Sequence, residues 1–224
     1  MKHTHLAQSH STQEFLRKVL NKKNDDYLIS TDNQTEGKGR SGSQWIQFNE
    51  AIAFSFNIPP NKIMTLTSLE IGVLLTLYFK RKIKVKWPND LLNEEHEKVG
   101  GILCQLIDNQ ILVGIGVNLK RPCKDPNFPY PVGGILEANT PLEKDFKREI
   151  PLDIYRFITS NRLNSDDVRR LFVENCIHMN EKVIISDHNK KREGKFIGVG
   201  EFGEALIQDE CETIKILTGS LRLA

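Results

Sequence analysis

The sequence has few cysteines, and those it has are far apart. Among its 224 residues, the cysteines are Cys104, Cys123, Cys176 and Cys211, and no two of them form a C-x-x-C pair. Zinc ribbons and thioredoxin-type redox sites depend on closely spaced thiols, so this spacing argues against both kinds of site. We therefore expect four reduced thiols.

The sequence also lacks a long apolar run. A membrane-spanning helix needs roughly 18 apolar residues. The nearest candidate, residues 63–79, is interrupted by threonines, a serine and a glutamate. The opening segment MKHTHLAQSHS has no apolar region of the kind that secretory signals contain. We expect a cytoplasmic protein with no membrane partner.

An excess of one charge is absent as well. The chain has 31 basic and 29 acidic residues, which gives a net charge of +2. General nucleic-acid-binding proteins usually show a basic excess, so this balance argues against that class. His3, His5 and His10 lie near the start without the carboxylate or cysteine pattern of a metal site. We expect a flexible N-terminus there.

The hydrophobic pattern predicts a mixture of helices and strands. Ser11 to Glu14 has the S-x-x-E form of a capping box, which marks the start of a helix. Helical spacing of apolar residues predicts helices over residues 12–22, 63–82, 152–160 and 166–176. Alternating apolar residues predict strands over residues 27–31, 52–58, 84–87, 91–92, 99–108 and 111–119. A tight turn is predicted at residues 108–110.

The pattern changes near Glu181. The short β runs KVIISD, KFIGVG, EALIQD and TIKILTG follow one another at regular spacing and are separated by turns. Such runs are typical of a small β-barrel. We therefore predict two domains, residues 1–179 and residues 180–224.

The stretch TEGKGRSGSQW contains a G-x-G-x-x-G pattern at Gly37, Gly39 and Gly42. A dinucleotide-binding turn needs a helix that begins at these glycines, but a strand is predicted to follow them. A P-loop would need a G-K-[ST] triplet, which is absent. Because Lys38 and Arg40 lie between glycines that permit close approach, the loop suits an anionic ligand. A solvated surface loop is the alternative.

Three further motifs accompany this loop. KWPND contains Lys86 and Asp90, KVGGIL contains Lys98, and GIGVN places Gly114 and Gly116 within a strand. Glycine inside a strand often marks a place where a ligand approaches the backbone. Core packing, a bulge or a surface lysine could explain each motif separately. Together they fit a nucleoside triphosphate with magnesium, and a small second ligand.

In order and spacing, these motifs resemble those of the biotin–protein ligases. The resemblance is strong over residues 11–119 and weaker towards the C-terminus, where the ending Gly219–Arg222 also fits. It implies an α+β fold with a central mixed β-sheet and flanking helices, as in the class II synthetase-like biotin/lipoate ligases, plus a small C-terminal SH3-like β-barrel. Only ten residues precede Ser11, so we expect the ligase-only form without an N-terminal DNA-binding domain.

The resemblance also implies a reaction in two steps. The biotin carboxylate attacks the α-phosphate of ATP, which gives biotinyl-5′-AMP and pyrophosphate. A lysine of a biotin carboxyl carrier domain then takes the biotinyl group. DNA is not an expected partner.

Roles for individual residues follow from the same resemblance. Lys98 and Arg40 would be catalytic, Lys86 would contact phosphates, and Asp90 would help to place magnesium. Trp45 and Asn118 would contact adenine. The full set of implied substrate-binding residues is Ser11, Thr12, Gln34, Gly37, Lys38, Gly39, Arg40, Trp45, Lys86, Lys98, Gly101, Gly114, Gly116 and Asn118, with Ser11, Thr12 and Gln34 at the biotin ureido ring.

Three positions depart from the usual pattern of these ligases. Lys38 stands where arginine is usual, Ser41 where a basic residue is common, and Gln13 where asparagine is common. Lysine keeps the positive charge of arginine but cannot make its paired hydrogen bonds to one anion. The sequence therefore does not predict how tightly the adenylate is retained. A lipoate–protein ligase and a non-catalytic biotin or adenylate sensor are the alternative hypotheses. Exposed strand edges also leave a homodimer open.

Overall fold

The computed structural model of the chain describes residues 1–20, 25–123, 128, 130–187, 190–209 and 212–224. The helices in these ranges are α1 (Thr12–Val19), α2 (Thr67–Tyr78), α3 (Phe146–Ser160) and α4 (Ser165–Asn175). The strands are β1 (Lys2–Ser9), β2 (Tyr27–Gln34), β3 (Gly37–Lys38), β4 (Gln44–Trp45), β5 (Ala51–Ile58), β6 (Lys84–Lys86), β7 (Asp90–Leu92), β8 (Lys98–Ile107), β9 (Gln110–Asn118), β10 (Lys182–Asp187), β11 (Lys190–Val199), β12 (Ala205–Gln208), β13 (Thr213–Ile216) and β14 (Ser220–Leu223).

Seven strands form the central sheet in the order β1-β2-β5-β9-β8-β7-β6. β1 pairs with β2 in parallel, whereas the other neighbours are antiparallel, so the predicted mixed sheet is confirmed. Helix α1 covers one face, where Leu16 packs with Ile29 and Leu112. Helices α2, α3 and α4 pack on the opposite face in the larger core.

Strand periodicity divides the residues of β5 and β9 between the two faces. Phe54, Phe56 and Ile115 lie in the larger core. Ser55 and Gly114, which are directly paired in the ladder, therefore point to the α1 face. The predicted turn between β8 and β9 is confirmed at residues 108–109, where φ is 45° and 65°. Positive φ at both central residues is what a two-residue hairpin needs.

The expectation of a flexible N-terminus is wrong, because residues 2–9 form the edge strand β1. The Nε2 atom of His3 lies 2.9 Å from the hydroxyl oxygen of Ser30, and the Nδ1 atom of His5 lies 2.8 Å from the same oxygen. These side-chain contacts join β1 to β2 where apolar alternation is weak. The described residues contain no group of three histidine, cysteine or acidic residues that could hold a metal ion.

Helix boundaries differ from the predicted ones by a few residues. Helix α2 begins at Thr67 and is preceded by a 3-10 turn at Met64–Leu66. Helix α3 begins six residues before the predicted start and continues through the buried Pro151. Helix α1 ends at Val19, and the predicted end at residues 21–22 lies outside the described residues. No helix in the described ranges is long and apolar enough to cross a membrane.

The C-terminal strands form an antiparallel sheet in the order β13-β12-β11-β10-β14. In the described part of the chain no ladder joins β13 to β14, so hydrogen bonds do not close the sheet into a barrel. Its core residues Phe196 and Ile207 belong to the same apolar cluster as helices α2–α4. The indole of Trp87 donates to the carbonyl of Gly203 at 2.9 Å and joins the two sheets. The domain division at residue 180 stays a prediction.

A buried carboxylate fixes the turn between α3 and α4 to helix α2. Glu70 is fully buried, and its two oxygens accept from Arg162 Nε at 2.7 Å, Arg162 Nη2 at 3.0 Å, the Leu163 amide at 2.9 Å and Asn61 Nδ2 at 3.0 Å. A buried charge needs this kind of pairing. The cysteines Cys104, Cys123 and Cys176 are free thiols, and Cys211 lies outside the described residues.

Candidate active site

A cavity of about 500 Å³ lies on the α1 face of the central sheet. Strands β5, β8 and β9 form its floor, and the start of α1, the segment 38–45 and the C-terminal sheet form its walls. The predicted site residues that line it are Ser11, Thr12, Gln34, Lys38, Gly39, Arg40, Trp45, Asp90, Lys98, Gly101, Gly114 and Gly116. Gly37, Lys86 and Asn118 lie outside this lining.

The glycine loop folds as a short hairpin over the cavity. We call residues 37–45 the glycine hairpin, because β3 pairs with β4 through Gly37 opposite Trp45. The Gly39 amide donates to the Ser43 carbonyl at 2.7 Å, which closes the turn. A Cβ atom on Gly37 would lie 2.4 Å from the Trp45 carbonyl oxygen and 2.6 Å from Gln34. Only glycine therefore fits at the base of the hairpin.

Arg40 joins the glycine hairpin to two other parts of the chain. Its Nη1 atom donates to Asn89 Oδ1 at 3.2 Å and to the Gly219 carbonyl at 3.4 Å. Burial lowers the pKa of the Arg40 guanidinium from its ordinary value, and Asp90 opposes that shift. Arginine nonetheless keeps its charge in proteins. A fixed cation therefore lies where the hairpin meets the C-terminal sheet.

A carboxylate between two lysines forms the charged centre of the cavity. Asp90 Oδ1 lies 2.6 Å from Lys98 Nζ, and Asp90 Oδ2 lies 3.0 Å from Lys86 Nζ. Burial alone would raise the pKa of Asp90, but Lys98 and Lys86 outweigh it and hold that pKa below its usual range. The Lys98 ammonium also lies 5.2 Å from the ring centroid of Tyr130. Both lysines are thus held in place beside the cavity.

The surroundings of Asp90 limit how it could help to place a magnesium ion. Both oxygens of Asp90 are paired with lysines, and it is the one carboxylate among the described lining residues. Magnesium commonly keeps several waters and is held by one or two carboxylates together with substrate phosphates. The residues therefore suit an ion that arrives on ATP rather than one held by the protein alone, and the role of Asp90 stays a prediction.

Small residues form the floor beneath the Trp45 ring. Gly101 pairs with Gly116 across β8 and β9, and Ala53 pairs with Gly116 from the other side. A Cβ atom on Gly116 would lie 2.3 Å from an indole carbon of Trp45, whereas one on Gly101 would approach its nearest neighbours only to 3.9 Å. Gly116, the second glycine of GIGVN, therefore lets the indole approach the sheet closely.

Replacing Gly116 by alanine is expected to force Trp45 off this floor, because the new methyl group would overlap the indole. Displacing Trp45 should open the glycine hairpin, so trypsin should cleave after Lys38 and Arg40 about tenfold faster. Limited proteolysis followed by mass spectrometry measures this rate. Gly101→Ala is the control and should be cleaved at the wild-type rate. Equal cleavage of both variants would contradict the packing role of Gly116.

The opposite part of the cavity is polar. Thr12 donates to Gln34 Oε1 from its backbone amide at 2.9 Å and from its hydroxyl at 3.1 Å. The Thr12 hydroxyl also lies 2.8 Å from the Ser55 hydroxyl. Ser11 caps α1 by accepting from the Glu14 amide at 3.4 Å, as the capping-box pattern predicts. The predicted ureido-binding residues therefore lie together at one end.

Several lining residues were not predicted from the sequence. Ser55 lies in a strand that was identified from its apolar residues, and Asn89 lies in a motif that was interpreted from its charged residues. Tyr130 lies in a proline-rich loop that has no hydrophobic periodicity. Further lining residues that were not predicted are Gln13, Ser41, Ser43, Gln44, Ser186, Thr218, Gly219 and Ser220. The last four come from the C-terminal sheet and its turns, which no local pattern connects to the cavity.

Three buried polar atoms in or near the cavity have no hydrogen-bond partner in the described part of the chain. Among the described residues, buried side-chain atoms without a hydrogen-bond partner include Gln13 Oε1, Trp45 Nε1 and Asn118 Oδ1. Asn118 lies at the end of β9, and its amide donates to the Gly133 carbonyl at 3.3 Å. Unpaired buried groups cost stability unless a ligand or water completes them. Lys38, which stands where arginine is usual in the biotin–protein ligases, forms an ion pair: its ammonium lies 2.8 Å from Glu14 Oε1.

Comparison with known proteins gives consistent results. The sequence profile of the Biotin/lipoate A/B protein ligase family matches residues 6–120. The bifunctional ligase/repressor BirA of Escherichia coli (strain K12) is 28% identical over 122 residues. That alignment covers 49% of this chain and 37% of BirA, well under two thirds of that relative.

Two solved structures are also similar. A biotin protein ligase from Aquifex aeolicus, in complex with biotin and ATP, has a TM-score of 0.83 and 26% identity, over 100% of this chain and 99% of that one. A biotin acetyl coenzyme A carboxylase synthetase from Helicobacter pylori has a TM-score of 0.72 and 21% identity, over 96% and 99%. The predicted fold is thereby confirmed. Since the family profile spans half of its length, this chain belongs to the Biotin/lipoate A/B protein ligase family.

Proposed function

We propose that the protein is a biotin–protein ligase that activates biotin with ATP and transfers it to a carrier lysine. One observation carries the proposal: a single cavity contains the Lys98–Asp90 ion pair, the fixed guanidinium of Arg40 and a polar end around Thr12. Cations suit the phosphates and the carboxylate, and the polar end suits a ring with hydrogen-bonding groups.

In the first step, two anions must come together. The biotin carboxylate attacks the α-phosphorus of ATP, and pyrophosphate leaves as the new mixed anhydride forms. Negative charge on the phosphoryl oxygens grows during this attack. Lys98 and Arg40 stabilise it, because fixed cations in a partly dehydrated site reorganise less than water does. Lys86 holds Asp90, and Asp90 in turn holds Lys98 towards the cavity.

MgATP enters as the substrate, and its metal neutralises phosphate charge. Trp45 on its glycine floor and Asn118 contact the adenine. The orphaned Oδ1 of Asn118 and Nε1 of Trp45 support this placement, because an aminopurine offers both a donor and acceptors. The glycine hairpin lies over the same space and shields the mixed anhydride from water.

In the second step, the ε-amine of a carrier lysine attacks the biotinyl carbonyl, and AMP leaves. The acceptor is a biotin carboxyl carrier domain of a biotin-dependent carboxylase. Arg40 bonds the Gly219 carbonyl, and the turn at residues 218–220 lines the cavity. The C-terminal sheet would therefore border the path of the incoming lysine. We place the reaction in the cytoplasm and without a role for DNA.

The test is pyrophosphate release from MgATP with biotin, with lipoate and with neither. Biotin-dependent release, followed by labelling of a carrier domain on one lysine, is the expected result. Release that depends on lipoate would assign the protein to lipoate attachment instead. Biotin binding without release from folded protein would identify a sensor and overturn the catalytic proposal.

A further inference from the structure

Two hydroxyl groups, those of Thr12 and Ser55, lie in contact at the polar end of the cavity. The Thr12 hydroxyl gives its hydrogen to Gln34 Oε1, which can only accept. When the Thr12 hydroxyl donates to Gln34, the contact of 2.8 Å between Thr12 and Ser55 uses the hydrogen of the Ser55 hydroxyl. Both hydroxyl hydrogens are then engaged within the protein. What remains available to a ligand at Ser55 is a lone pair.

Gln13 adds a second and stronger acceptor. Its side chain is 4% exposed, lines the cavity and donates through Nε2 to the Leu112 carbonyl at 3.1 Å and to Gln105 Oε1 at 3.3 Å. Because a carbonyl accepts only, the Leu112 contact fixes which atom of the Gln13 amide is nitrogen. Oε1 then has no partner in the described structure.

The Gln13 oxygen occupies space that a side chain on Gly114 would need. A Cβ atom on Gly114 would lie 2.7 Å from Gln13 Oε1 and 3.4 Å from the Ser55 hydroxyl. The unpaired oxygen therefore faces the bare backbone at the cavity floor, next to Ser55. A buried acceptor left unpaired costs free energy, so a ligand that brings an N–H group is favoured over one that does not.

We propose that Gln13 is a specificity-determining residue whose amide oxygen accepts a hydrogen bond from a ring N–H of the ligand. The inference rests on the proposed function, in which that ligand is biotin. The ureido ring of biotin carries two N–H donors, whereas the dithiolane ring of lipoate carries none. A site built to pair a donor strongly rejects an analogue that lacks it. Gln13 thus selects a cyclic urea over a dithiolane.

The experiment measures ligand binding to the full chain by calorimetry. The ligands are biotin and the two carbamate isomers of biotin, in each of which one ring N–H is replaced by oxygen. Gln13→Met keeps the length of the side chain but removes the acceptor. Gln105→Met is the matched control, because it removes a partner of Gln13 Nε2 at an exposed position and leaves Oε1 in place.

For wild type, one carbamate isomer should bind at least tenfold more weakly than the other. Gln13→Met should bind biotin about tenfold more weakly and should discriminate between the isomers less than threefold. Gln105→Met should retain the discrimination. If Gln13→Met binds biotin as wild type does, or still separates the isomers tenfold, the inference is overturned while the ligase proposal stands. If wild type binds no biotin, the proposed function itself fails.

Discussion

Replacing Lys98 by methionine is expected to slow biotin-dependent pyrophosphate release by about 10²- to 10³-fold. Methionine keeps much of the length of the side chain and removes the ammonium that lies 2.6 Å from Asp90. Asp90 keeps its second ion pair, with Lys86 at 3.0 Å, so the centre of the cavity should stay folded. The loss should therefore appear in the chemical step, which single-turnover assays of pyrophosphate release measure directly.

Biotin affinity should change much less, because the polar end is contributed by α1, β2 and β5 rather than by Lys98. We expect the Kd for biotin to rise by no more than about fivefold, since only the contact between the Lys98 ammonium and the biotin carboxylate is lost. Lys120→Met is the control: Lys120 also pairs with a carboxylate, Glu50 at 3.2 Å, but does not line the cavity. Unchanged turnover in Lys98→Met would remove Lys98 from the mechanism.

Replacing Glu70 by alanine is expected to destabilise the protein by about 3–5 kcal/mol, the usual cost of breaking a buried pair. Glu70 is fully buried and accepts from Arg162, Leu163 and Asn61. Its removal leaves Arg162 Nε and Nη2 and the Leu163 amide without their acceptor, and Arg162 Nη1 keeps the Pro59 carbonyl at 3.1 Å. Urea unfolding followed by circular dichroism measures the change in the free energy of unfolding.

An exposed ion pair provides the comparison for Glu70. Glu174 accepts from Arg170 at 2.9 Å on the surface of α4, and both side chains are about half exposed. Glu174→Ala should cost less than about 0.5 kcal/mol, because solvent screens such pairs. The cavity lies on the other face of the central sheet from Glu70, so the folded fraction of Glu70→Ala should still bind biotin if the proposed function holds. Similar losses in the two variants would show that burial of Glu70 adds no stability.

The parts of the site that the sequence predicts are those encoded by short motifs. Alternation along β9 places Gly114 and Gly116 on one face, and the pattern alone indicates that a ligand approaches there. The charges at Lys98 and Asp90 are equally visible, since both lie at the starts of strands and Lys98 is followed closely by two glycines. The alternation of side chains along a strand and the grouping of charged residues in a short motif are both local properties of the sequence. They can be recognised without knowing which distant residues come into contact.

The parts that were not predicted depend on contacts between distant residues. Arg40 meets Gly219 across 179 positions in the chain, and Gln13 meets Leu112 across 99. No spacing rule connects such residues before the chain has folded. The strand β1 was missed for the same reason, because its histidines gain partners only from Ser30 on β2. The open C-terminal sheet likewise depends on pairing order rather than on strand patterns.

The two tryptophans of the chain lie in very different surroundings. Trp87 is 1% exposed and holds its hydrogen bond to Gly203, so its emission spectrum should be constant. Trp45 lies in the cavity with an unpartnered indole nitrogen, so its emission should respond to any molecule that enters. The protein therefore carries an intrinsic fluorophore at the site and a second one as internal reference. Binding of unlabelled ligands to the cavity can therefore be followed by tryptophan fluorescence, without modifying the chain.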